Sequence, residues 1–114
     1  MVETEHTETR LILATTDAIE GREILETIGL VRGNAVRARG IGFDITAGIR
    51  NIFGGAVPEY SQLITRTRND ATENMIAAAE EVGADGIVAI RYTTSMISTG
   101  ISEILAFGTA VKLR

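Results

Sequence analysis

Apolar positions recur along the chain with two different periods, and the change of period marks out its elements. Tyr60, Ile64, Thr67, Ala71, Met75, Ala78 and Val82 follow one another at steps of four or three residues, 4-3-4-4-3-4, with polar residues opposite. That spacing places all seven on one stripe of a long α-helix. Pro58 falls in the first turn, where its missing N–H costs nothing, and Gly83 is placed to end the helix.

Beyond the helix the period shortens. "DGIVAIRYTTS" (85–95) and "SEILAFGTAVKLR" (102–114) have strand patterns, and "MISTG" between them reads as a hairpin or bulged connection. In the second strand Leu105, Phe107, Val111 and Leu113 share one face, while Ile104, Ala106, Gly108 and Ala110 share the other. Both faces therefore want cover. Before the helix, "RLILATT" (10–16) has the length of a short strand, and "DAIEGRE" after it reads as a turn. Residues 22–38 then read as extended, with Gly29 and Gly33 pointing to bulges or a close backbone approach. In "FDITAGIRNIFGGAVPEY" (43–60), Asp44 can cap a short helix carrying Ile45, Ile49, Ile52 and Phe53, which Gly54 would stop.

The sum is an α+β subunit: a small antiparallel or mixed sheet packed by one long helix and one short helix. Residues 1–9 are expected to form a flexible acidic tail, and residues 10–114 a single domain. A sheet of three or four strands is ~14–19 Å across, whereas one helix covers a band of ~10–12 Å. The long helix can roof one face and leaves little for the other. A second copy of the chain is the expected cover, so the partner called for is a homo-oligomer.

Composition narrows the function classes. The 114 residues are 45% hydrophobic and 23% charged, an ordinary globular balance. The net charge of −4 leaves no electrostatic footprint for nucleic acid or an anionic membrane. No stretch approaches the ~20 apolar residues of a membrane helix. The acidic N-terminus has neither the basic nor the apolar region of a signal peptide, so a cytoplasmic location is expected. The absence of cysteine removes disulfides, thiolate catalysis and thiolate metal sites.

Candidate chemistry is sparse. Gly54 and Gly55 suggest a phosphate nest, but the lysine of a P-loop is missing and Pro58 removes an N–H, which favours a helix–helix turn. "ATTDAIEG" (14–21) puts Thr15, Thr16 and Asp17 at the end of a strand, where they serve either a ligand or a local turn. Arg50 and Arg91 lie among apolar residues, and each suits a carboxylate, a phosphate or a partner subunit. His6, the single histidine, stands in the acidic tail beside Glu3, Glu5 and Glu8, which reads as a solvated cluster rather than a metal site. No Ser-His-Asp, Cys-His or HExxH constellation is present, so no catalytic residue and no metal ligand is assigned. The ligand-binding candidates are Thr15, Thr16, Asp17, Arg50 and Tyr60, and the cofactor is left open.

Six segments together resemble the YbjQ-like family of small proteins of unknown function: "TTDAIEGREI" (15–24), "LVRGNAV" (30–36), "FDITAGIRNIFGG" (43–55), the long helix, "EEVGADGIVAIRY" (80–92) and "FGTAVKL" (107–113). The resemblance implies a dodecin-like β-α-β-β core and a ring assembly, with a homopentamer as the expected form. It also brings a heavy-metal-binding label and no established catalytic residue. Three functions follow as expectations. The first is a ring-forming binding or scaffolding module of unknown ligand. The second is a metal-ion binder that uses carboxylates. The third is an enzyme whose site lies at the subunit interface.

Overall fold

The structure, a computed structural model, describes residues 11–38 and 56–114, with the backbone alone for residues 56–62. Strand β1 is Ile12–Leu13, β2 is Ile24–Ala38, helix α1 is Ala56–Glu81, β3 is Gly86–Ser98 and β4 is Ile101–Leu113. Among the described residues the four strands form one mixed sheet in the order β1-β3-β4-β2. β1 runs parallel to β3, while β4 is antiparallel to both β3 and β2. The expected short helix over residues 44–53 lies outside the described residues.

The long helix forms where its stripe predicts it. Ala71 and Met75 are fully buried, Thr67 is nearly so, and Ile76 and Ala79 join them on the sheet side. Val82, the last position of the predicted stripe, is instead half exposed, because the helix stops at Glu81 and the chain turns away. Gly83 makes that turn with φ +76°, a left-handed conformation that costs a glycine nothing.

α1 packs chiefly on β2 and less on β4. Its closest approach is at Gly33 of β2. A Cβ at that position would fall on the backbone nitrogen of Met75 and lie 2.5 Å from the Ala71 carbonyl oxygen. Close approach, one of the two roles anticipated for this glycine, is thus the role it plays. Asn74 adds a hydrogen bond from Nδ2 to the Asn34 carbonyl at 2.9 Å, tying helix to strand. The core between the layers is Ala71, Met75, Ile76 and Ala79 against Val31, Ile87, Ile90, Ile104, Ala106 and Ala110.

β3 reaches both of its covers through a bulge. Val88 pairs with Thr109 but Arg91 pairs with Phe107, so β3 spends three steps where β4 spends two. The extra residue reverses the side-chain alternation. Ile87 and Ile90 consequently both face α1, with 0% and 5% exposure. Ala89 adopts φ +56° to achieve this, an uncommon conformation for a residue with a Cβ. The strand then runs on to Ser98, and only Thr99 and Gly100 separate it from β4. The predicted loop "MISTG" is therefore mostly strand.

Candidate functional site

Strand β1 is shorter than the predicted seven residues because its continuation bonds to the bulge rather than to a regular ladder. Ala14 N donates to Ile87 O at 2.9 Å, Ile90 N donates to Ala14 O at 3.1 Å, and Ala89 N donates to Thr16 O at 2.8 Å. Arg91 completes this seam. Its Nη1 donates to the Thr15 carbonyl at 2.9 Å and to the Ile90 carbonyl at 2.8 Å.

The fold thus brings Arg91 to Thr15, two residues 76 positions apart, and assigns both a structural task. A guanidinium with its several N–H groups can serve both carbonyls at once where the parallel ladder ends. The Thr16 hydroxyl is also engaged, donating to the Ala18 carbonyl at 2.6 Å. That bond closes the local turn that the sequence offered as the alternative to a ligand site. Asp17 is exposed on the outside of the same turn. Arg50 and the side chain of Tyr60 lie outside the described residues, so the five candidates are not seen to converge.

Sequence patterns did not single out the face on which Arg91 stands. Register alone assigns it: Arg32 of β2 and Arg91 of β3 both pair with Phe107 of the central strand β4, so the three share one face. This is the face away from α1. At one end it is covered by the stretch from β1 to the start of β2, where Ile12, Ile19 and Ile24 pack on Val88, Val111 and Leu113. Farther along β4 this cover ends among the described residues. Leu105 and Phe107 stay partly exposed, and on β2 Leu30 and Val36 are 65% and 56% exposed. Asn34 Nδ2 donates to Glu103 Oε2 at 2.9 Å across this open area.

The sheet also has two open edges among the described residues. β2 is terminal in the sheet along its whole length. β3 has lost its β1-side neighbour by Tyr92, and from there to Ser102 the chain carries no charged residue. Met96 and Ile97 on this edge are 74% and 59% exposed. Charges, prolines and covering loops are the usual protection of a bare strand edge. Tyr92–Ser98 has none of these among the described residues.

Metal donors do not gather. Among the described residues no group of three or more His, Cys, Asp or Glu side chains is arranged to hold an ion. At the C-terminal end of α1, Asp85 is committed elsewhere: its Oδ2 accepts from Leu113 N at 2.9 Å and lies 4.0 Å from Lys112 Nζ. The ammonium itself donates to the Gly83 carbonyl at 2.9 Å, capping the helix end.

Comparison with known proteins places these features in a wider set. The family model YbjQ_1, described as "Putative heavy-metal-binding", matches residues 11–114. A UPF0145 protein of Halorubrum lacusprofundi is 53% identical over 102 residues, covering 90% of this chain and 98% of its own. A UPF0145 protein of Archaeoglobus fulgidus is 45% identical over 107 residues, covering 94% and 99%. Among solved structures, a protein of unknown function of the DUF74 family from Pediococcus pentosaceus superposes with a TM-score of 0.60 at 16% identity, over 91% of this chain and 98% of that one. At that identity the likeness is one of fold.

Proposed function

Because the chain belongs to the YbjQ (UPF0145) family, with relatives that align to it over nearly their whole length, we propose that it works as a ring-forming homo-oligomeric module. In this reading it binds or scaffolds through surfaces repeated around the ring. The observation that carries it is the pair of unlike edges left open on one sheet among the described residues. β2 and β3 are both antiparallel to β4 and so run in the same direction. A neighbour rotated about an axis along the strands can lay its β3 edge beside this chain's β2 edge. Such a contact joins two different surfaces, and repeated contacts of that kind give rings when the rotation closes, not two-fold dimers.

The open sheet face supports the same conclusion. Leu30, Val36, Leu105 and Phe107 form an apolar area interrupted by Arg32, Arg91 and Glu103. Apolar side chains flanked by a few charges are the usual make-up of a surface between subunits. The dodecin-like core and the number five come from the family resemblance.

Native mass spectrometry at micromolar concentration tests the proposal. Five chains of 12.2 kDa give a particle of about 61 kDa (5 × 12.2). Ile97→Lys, which adds a charge to the bare β3 edge, should shift the population to monomers without unfolding it. A wild-type monomer would overturn the proposal. So would a two-fold dimer insensitive to Ile97→Lys.

A further inference from the structure

The family description names heavy metals, and the donor set of this chain does not fit them. We infer that this member holds no thiophilic heavy-metal ion, and that its work is done without one.

The argument rests on which atoms are present and where the fold puts them. Soft and borderline ions such as Cd²⁺, Cu⁺ and Zn²⁺ are held by thiolate, thioether and imidazole donors, usually three or four to an ion. The chain has no cysteine and one histidine, His6. Its three methionines are Met1, Met75 and Met96. Met75 is 0% exposed in the core between α1 and the sheet, and its own backbone is the one that abuts Gly33 most closely. Ligation by Met75 would require the helix to lift from the sheet. Met96 is exposed, but its strand neighbours are Ser95 and Ile97, and its partner across the ladder is Ser102. None of these is a soft donor.

Carboxylates do not repair the deficit. Oxygen-only sites suit Mg²⁺, Ca²⁺ or Mn²⁺ rather than heavy metals. Among the described residues the acidic groups are dispersed, with Glu23 paired to Arg114 at 3.0 Å, Glu103 bonded by Asn34 and Asp85 bonded by the Leu113 amide. One route to a soft site remains open to any symmetric assembly: one donor from each copy meeting at the axis. Here that donor would have to be Met1, His6 or Met96.

The test uses the full chain in whatever assembly it forms. Protein is incubated separately with Cd²⁺, Zn²⁺ and, under reductant, Cu⁺ at about ten-fold excess, desalted, and read by elemental analysis and by native mass. The expected result is well under one ion per assembly for each metal, with the melting temperature unmoved by the metal. Retention of one or more ions per assembly, together with a rise in melting temperature, overturns the inference. Loss of that retention in His6→Ala or Met96→Leu would then identify the axial donor. The native mass reports subunit number in the same spectrum, so failure here is separable from failure of the ring.

Discussion

Gly33 of β2 and Met75 of α1 meet backbone to backbone, with no room for a single added carbon between them. This contact sets the depth at which the helix sits on the sheet, and with it the burial of Met75 and its neighbours Ala71 and Ala79.

Gly33→Ala should therefore be among the most damaging small substitutions in the chain. The intruding methyl meets backbone rather than a flexible side chain, so the helix must move as a body. A loss of about 3 kcal/mol or more is expected, at the top of the usual overpacking range. Urea unfolding at fixed protein concentration measures it as a lower midpoint with little change in slope. Wild-type stability in the variant would mean that the helix sits farther out than described.

Ala89 offers a contrast of sign. Its φ of +56° strains any residue with a Cβ, and a β-branched side chain most of all. Ala89→Gly should leave stability within about 1 kcal/mol of wild type, the relief of strain roughly offsetting the added chain entropy. Ala89→Val should lose about 2 kcal/mol or more. Equal stability for the two variants would contradict the bulge.

Arg91 separates a structural role from a ligand role. Arg91→Met keeps the apolar stem but removes both donations to the Thr15 and Ile90 carbonyls. A loss of about 1–2 kcal/mol is expected, with amide exchange accelerating first at Ala14, Ala89 and Ile90. Were Arg91 kept for a ligand alone, the free protein would unfold and exchange as wild type does.

Leu30 reports on the open sheet face. At 65% exposure a single chain should tolerate Leu30→Lys within about 0.5 kcal/mol, as surface substitutions usually are. If the face is covered by a second copy, the same change should weaken assembly at least ten-fold. Sedimentation over a dilution series distinguishes the two. Val82→Lys, at the end of α1 and half exposed, serves as the control.

Much of this was legible in the order of residues. The stripe from Ile64 to Ala78, the glycine stop at Gly83 and the alternation through β4 are local patterns. Each depends on neighbours three or four residues away along a helix, or two away along a strand. Gly33 was legible as a point of close approach, but which element approaches it was not. The candidate site was read in part. Thr15 and Thr16 do stand at a strand end, and the Thr16 hydroxyl makes the local turn bond that its residue type allows. Arg91 was noticed for its apolar surroundings, yet its partner Thr15 lies 76 residues away.

Tertiary structure decided everything that depends on pairing at a distance. It set the order β1-β3-β4-β2, and it placed Arg32 and Arg91 on either side of Phe107. It also put the extra residue at Ala89, which turns Ile90 inward where strict alternation from Ile87 would turn it out. The physical reason is that periodicity fixes which side of an element is apolar, not which element will cover it. By itself the chain's order determined a long amphipathic helix, an apolar hairpin and a donor set with no cysteine and a single histidine. Only the fold determined that the helix shields one face of the sheet, with the other face and two unlike edges left open among the described residues.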